Sequence, residues 1–170
     1  MGPLEIRPAR AGDAARLADI YNAAIAARIA TFETELRSVE ERREWLGRHD
    51  ARHPILVACR DGVVIGFASV DAYRPRACYD GVGEFSVYVA PEARRTGAGL
   101  SLMDALAVRA AALGYWKLLS RVFVENAPSR ALLRRAGFRE VGVYRRHARL
   151  DGRWRDVVIV ERLIGDAVEG

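Results

Sequence analysis

Residues 94–99 read Arg94-Arg95-Thr96-Gly97-Ala98-Gly99. They stand between a strand-like run, Phe85 to Ala90 closed by Pro91, and a helix-like run that begins at about Ala98. A glycine-rich strand-to-helix turn exposes backbone N–H groups, and the helix N-terminus behind it adds partial positive charge. That combination binds phosphate. The turn lacks the Gly-Lys-Ser/Thr ending with which a nucleotide P-loop reaches terminal phosphates and magnesium. It also lacks the third glycine of a dinucleotide-binding fingerprint.

Working outward, Leu4 to Pro8 reads as a short strand, and Ala11 to Ala27 as a helix with Leu17, Ile20, Ala24 and Ala27 on one face. Ser38 with Glu41 is a capping box, which predicts a helix through Trp45 and Leu46. Ile55–Cys59 and Val63–Asp71 flank Asp61-Gly62, and Phe138–Leu150 and Trp154–Leu163 flank Asp151-Gly152; both dipeptides are hairpin signals. Between them the pattern predicts a loop after Asp71, a strand from Val82 to Ala90, a helix from Ala98 to Leu113 stopped at Gly114, a strand from Trp116 to Val124 and a short helix from Ser129 to Ala136. The order is strand, two helices, three strands, helix, strand, helix, two strands. It specifies an α/β fold with a mixed, mostly antiparallel twisted sheet and helices on both faces.

The 170 residues have the size of one domain, residues 1–170, with no repeat or linker in view. No apolar run approaches membrane-spanning length and the N-terminus has no signal-peptide pattern, so a cytoplasmic protein is expected, with no membrane partner. Cys59 and Cys78 have no CxxC spacing, and His49, His53 and His147 have no ligand spacing; no metal site and no disulfide are expected. The net charge of +5 suits acidic ligands, and it comes mostly from arginine, Lys117 being the only lysine.

Three motifs carry a resemblance. Arg94, Gly97 and Gly99 match an Arg/Gln-x-x-Gly-x-Gly/Ala loop, Val87-Tyr88-Val89 precedes it, and Asn126, Ser129, Gly137 and Phe138 follow at the next strand–helix junction. In this order the chain resembles the GCN5-related N-acetyltransferases over its whole length. The resemblance implies acetyl-CoA as co-substrate. Its pyrophosphate would be held by the turn (Arg94, Arg95, Thr96, Gly97, Ala98, Gly99 and Leu100) with Asn126 and Ser129 nearby. Its pantetheine arm would lie on the strand backbone at Val87, Tyr88 and Val89.

Within that family the chain resembles the phosphinothricin, methionine sulfoximine and arsinothricin acetyltransferases. The segments that carry this are Ala30 to Glu33, Ala72 to Asp80, Glu84 to Val89 and Asp151 to Val157. This implies an amino-acid acceptor and a homodimer whose second subunit helps to wall the site; the Trp154 hairpin is a candidate for that interface. Arg74 and Arg76 flank Pro75, which favours an extended backbone that points both guanidinium forks one way, towards a phosphinate, arsinate or carboxylate. Phe32, Tyr73 and Tyr79 are candidate pocket walls. An amine with a pKa of about 8 is mostly protonated at neutral pH and needs a base; Glu84, at the start of the strand that leads to the phosphate turn, is the candidate. A backbone N–H near Val87 or Val89 would steady the oxyanion, and neither cysteine is needed. The place where relatives carry a Tyr or His as general acid is Leu133 here, so Tyr144, water or unassisted thiolate departure must serve.

Two other readings compete. One is an acetyltransferase for another amine, such as a polyamine or a protein N-terminus; paired arginines disfavour a cationic acceptor. The other is a basic nucleic-acid-binding domain. Arg42, Arg43, Arg134, Arg135, Arg145 and Arg146 lie scattered among carboxylates, which predicts solvated faces rather than a nucleic-acid stripe.

Overall fold

The computed structural model describes residues 1–168, so Glu169 and Gly170, the last two positions of the expected domain, lie outside the described residues. Among the described residues seven strands form one sheet: β1 (Leu4–Pro8), β2 (Ile55–Arg60), β3 (Val63–Ala72), β4 (Val82–Val89), β5 (Lys117–Phe123), β6 (Arg139–Leu150) and β7 (Arg153–Leu163). Their spatial order is β1-β2-β3-β4-β5-β7-β6. Every neighbouring pair is antiparallel except β4 and β5, which run parallel. Four helices complete the fold: α1 (Ala14–Ala27), α2 (Val39–Arg48), α3 (Ala98–Ala112) and α4 (Ala127–Arg135).

Local chemistry accounts for most boundaries. Both Asp-Gly turns place two consecutive residues in the left-handed region, Asp61 (φ 50°) with Gly62 (φ 78°) and Asp151 (φ 48°) with Gly152 (φ 75°); a two-residue hairpin with the strands' own twist requires this. At α2, Glu41 N–H donates to Ser38 Oγ at 3.1 Å and Ser38 N–H to a Glu41 carboxylate oxygen at 2.6 Å, so the capping box forms as expected. Most boundaries fall within one residue of the sequence reading, and two helix starts differ by more. Residues Ala11–Asp13 form a separate 3-10 turn, because the Asp13 carboxylate is held by Arg7 (2.9 Å) and by the Arg10 N–H (2.7 Å) and so fixes a tighter entry. Helix α4 begins at Ala127, two residues early, because Asn126 caps it through the Ser129 N–H and Pro128 is tolerated in a first turn whose N–H groups need no partner.

The sheet buries both faces. Phe67 and Tyr88 are register partners on β3 and β4, and they face α1 and α2: Tyr88 meets Tyr21 edge-on at 5.1 Å and Phe67 meets Trp45 at 6.0 Å. Their neighbours Gly66 and Val89 face the other way, where Leu102 of α3 lies against Gly66. Helices therefore cover both faces, as the element order predicts. Leu17, Ile20, Phe67, Phe85, Leu102, Met103, Leu106 and Leu118 are almost wholly excluded from water.

One close approach closes the base of β4. A Cβ at Gly81 would fall 1.9 Å from the Trp116 ring, and the Gly81 carbonyl accepts the N–H of Trp116 (2.8 Å) and of Lys117 (3.2 Å). This contact sets where β4 and β5 begin to pair. Gly81→Ala is expected to cost about 1–3 kcal/mol through overpacking, read as a lower melting temperature. Adding Trp116→Ala should return most of the loss introduced at Gly81; a single variant that melts like the parent would show that the ring is free to move aside.

Candidate active site

Strands β4 and β5 pair only at Val82–Lys117, Gly83–Leu118 and Glu84–Leu119. Beyond Glu84 they part, since β4 continues along β3 while β5 follows β7. The edge of β4 from Phe85 to Val89 that faces β5 thus has no strand partner. An unpaired edge presents backbone donors and acceptors to a ligand. A cleft of about 850 Å³ opens there, walled by Val87, Tyr88 and Val89 on one side and by Val122 and Phe123 on the other.

The glycine turn at residues 94–99 closes one end of this cleft. Arg95 (φ 62°) and Gly97 (φ 87°) both take left-handed conformations, and Gly97 is the N-cap of α3. Thr96 Oγ donates to the Ala93 carbonyl at 2.7 Å and pins the turn. The first N–H groups of α3, at Ala98, Gly99 and Leu100, have no carbonyl one turn back to accept them, and Arg94, Arg95, Gly97, Gly99 and Leu100 line the cleft. Gly99 is in close contact with α4: a Cβ there would stand 2.9 Å from Leu132. Asn126 and Ser129 also line the cleft. The Asn126 carboxamide is engaged twice, accepting from Ser129 N–H at 3.2 Å and donating to the Ile29 carbonyl at 3.1 Å. It therefore ties α4 to the segment after α1. An unfilled backbone edge that ends on a glycine-capped helix N-terminus suits a long ligand with amides in its arm and phosphate at its end.

Glu84 stands at the apex where the strands part. Leu119 is its neighbour on β5, so Arg121, two residues on, shares its face, and the Arg121 guanidinium donates to the Glu84 carboxylate. Arg121 also lines the cleft. Glu84 remains partly open to solvent, with 29% of its side chain exposed. On β3 its register partner is Asp71, whose carboxylate meets His49 Nε2 at 3.1 Å. That contact raises the His49 pKa above its ordinary value, helped by the Trp45 carbonyl on Nδ1.

Other expected site residues fall elsewhere. Phe32 packs edge-on against Phe123 at 4.7 Å, beside the cleft wall. Tyr73, Arg74 and Arg76 stand on the loop between β3 and β4, at the Glu84 end of those strands. Tyr73 meets Tyr79 at 5.5 Å, Arg74 stacks on Tyr73 at 5.0 Å and Arg76 lies 6.0 Å from the Tyr79 ring. Both guanidinium groups are exposed, and none of the three residues lines the cleft. Leu133 is buried in the cleft wall. Tyr144 is exposed on the edge strand β6 and stacks on His147 at 5.1 Å, so it is not a wall of the cleft.

One expectation is corrected. Arg42 does not lie on a solvated face: it is only 8% exposed. Its guanidinium sits 4.0 Å from the Tyr21 ring centre and 4.8 Å from that of Trp45. The signal lay in helical spacing, since Arg42 precedes Trp45 by three residues and shares its inward face. The other scattered arginines, Arg43, Arg134, Arg135, Arg145 and Arg146, are exposed as expected.

Similarity to known proteins agrees with this geometry. The family model described as "Acetyltransferase (GNAT) family" matches residues 17–138. The chain is 35% identical over 163 residues to the phosphinothricin N-acetyltransferase of Streptomyces coelicolor, covering 94% of this chain and 95% of that one. Among solved structures it is similar to a GNAT superfamily phosphinothricin acetyltransferase from Sinorhizobium meliloti in complex with acetyl-CoA (TM-score 0.91, 30% identity, 98% of this chain and 91% of that one). It is also similar to a ribosomal-protein-alanine N-acetyltransferase from Brucella melitensis (TM-score 0.90, 35% identity, 94% and 99%). Among the described residues no helix is long and apolar enough to cross a membrane.

Proposed function

The chain belongs to the GNAT acetyltransferase family, and from that premise we propose that it moves the acetyl group of acetyl-CoA to the α-amine of a small amino acid. The acceptor class is one with an anionic or polar side-chain head, such as phosphinothricin, methionine sulfoximine or arsinothricin. The observation that carries this reading is the parting of β4 from β5 between a glycine-capped helix N-terminus and a partly exposed carboxylate.

Acetyl-CoA supplies an activated acyl group. The N–H groups at the start of α3 would hold its pyrophosphate, where helix polarity favours negative charge. The unpaired edge at Val87 and Val89 would hold the pantetheine amides. Glu84 accepts the ammonium proton, directly or through one water, while Arg121 orients the carboxylate. A backbone N–H of the β4 edge offers a fixed dipole to developing negative charge. Leu133, apolar and buried, gives up no proton. Phe32, Tyr73, Arg74 and Arg76 would meet the acceptor from the Glu84 end of the cleft, with Arg74 and Arg76 recognising its anionic head. Pairing of two copies through the β6–β7 hairpin, where Val143, Tyr144 and Trp154 are exposed, belongs to the same reading.

The similarity to the Brucella melitensis enzyme favours a second reading, a protein N-terminus as acceptor. Free-thiol release from acetyl-CoA across a panel separates the two. The panel holds phosphinothricin, methionine sulfoximine, methionine sulfone, arsinothricin, common amino acids, spermidine and an alanine-terminated peptide. Release confined to the first four is expected, with Arg74→Ala raising the acceptor KM and leaving the acetyl-CoA KM unchanged. Release from the peptide alone would discard the amino-acid pocket.

A further inference from the structure

A second hollow, of about 510 Å³, lies between α2 and the face of β3 and β4 that carries Phe67, Ser69 and Asp71. It is separate from the turn that faces phosphate, yet it shares Ser86 and Tyr88 with the long cleft. Its floor is polar. Ser69 and Ser86 are register partners side by side on β3 and β4, and Ser69 is only 2% exposed.

Four carboxylates (Glu33, Glu41, Glu44 and Asp71) and three arginines (Arg37, Arg42 and Arg48) line it, and Glu44 and Arg48 are exposed on α2. Arg37 is paired with Glu33 and Glu41, and Asp71 with His49. Arg42 is different: it is 8% exposed, lines the hollow, and among the described residues has no carboxylate within ion-pair distance. Its neighbours are Tyr21, which meets it with both ring and hydroxyl, and the ring of Trp45; neither brings a formal charge opposite the guanidinium. A buried cation is costly unless it is paired and hydrogen-bonded. Burial also pushes the Arg42 pKa below the ordinary arginine value. A planar fork without an ion-pair partner in a walled polar hollow is matched by a carboxylate.

Direction follows from the floor. The hollow extends to Asp71, and Asp71 is the register partner of Glu84. We propose that this hollow is the acceptor chamber and that Arg42 takes the α-carboxylate of a free amino acid, so that the α-amine lies towards Ser86 and Glu84. This rests on the acceptor reading above and deepens it. An acceptor with an anionic head carries two negative groups, and the fold then answers each with its own arginine site: Arg42 in the hollow for the carboxylate and the exposed Arg74–Arg76 loop for the head. It also predicts discrimination against peptides, whose first residue has an amide where Arg42 expects a carboxylate. A site built for a charged hydrogen-bonding group rejects the analogue that lacks it.

The test compares methionine sulfoximine and methionine sulfone with their α-carboxamides, by thiol release at saturating acetyl-CoA. The parent protein is expected to favour each acid by about 30-fold in kcat/KM. Arg42→Gln should bring that ratio to about three or less without moving the acetyl-CoA KM. Arg42→Lys, which keeps the charge but not the fork, guards against loss of folding and should give an intermediate ratio. A parent ratio near one, or an Arg42→Gln enzyme that melts earlier but keeps the parent ratio, overturns the proposal and leaves Arg42 a packing residue. Absence of thiol release from every amino acid overturns the acceptor reading together with this one.

Discussion

Glu84→Gln is expected to lower kcat near pH 7 by about 10²–10³-fold, the usual contribution of a positioned base. The substitution preserves shape and can still accept a hydrogen bond from Arg121, so the loss reports proton transfer rather than collapse of the strand apex. The pH dependence gives the sign. An acceptor amine with a pKa of about 8 is mostly ammonium at pH 7 and needs its proton removed, whereas above that pH the free amine is already abundant. The variant's deficit should therefore be largest at neutral pH and shrink as pH rises through about 8–9. The measurement is kcat against pH for both proteins with one acceptor from the panel. Parallel profiles of equal height would remove Glu84 as the base and leave it a partner of Arg121 at the strand junction.

The second large effect concerns the co-substrate. Gly97 caps α3 at φ 87°, a conformation that a β-branched residue adopts only with strain of about 1–3 kcal/mol. Gly97→Val relieves that strain by turning the peptide, which re-aims the N–H groups that would meet the pyrophosphate. The expected result is a rise of about 10–100-fold in the acetyl-CoA KM, since each 1.4 kcal/mol is worth about tenfold. No Cβ clash adds to this, because the space around Gly97 is open. The acceptor KM, measured at saturating acetyl-CoA, should change little, because the hollow proposed for the acceptor touches neither Gly97 nor α3. Equal rises in both constants would mean that the turn sets the shape of the whole cleft and not one ligand's phosphate site.

Gly97 and Glu84 were both open to sequence reading, for different reasons. Gly97 belongs to a local signal: a strand, a breaker, two glycines and a helix within some 15 residues, each with its own stereochemistry. Glu84 had a weaker signal, a carboxylate at the head of the strand that leads to that turn, and resemblance to related chains singled it out. Arg121, its partner, was not anticipated at all. The two lie 37 residues apart, and only parallel pairing of β4 with β5 sets them on one face. Arg42 failed in the opposite sense. A charge in an arginine-rich, carboxylate-rich helix reads as solvated, but Tyr21 and Trp45 close over it once α1 and α2 dock on the sheet.

By itself, then, the sequence determined the order of strands and helices, both Asp-Gly hairpins, the capping box of α2 and the glycine turn that starts α3. Each of these is written in neighbours within a turn or a hairpin, where backbone sterics and short hydrogen bonds decide the outcome. The tertiary structure alone decided where β4 leaves β5, which carboxylate stands at that fork, which arginine is buried without an anion, and that Arg74 and Arg76 lie outside the cleft. Those facts depend on strand pairings and helix docking between distant segments, and it is the burial they produce that sets one charged side chain apart from its solvated neighbours.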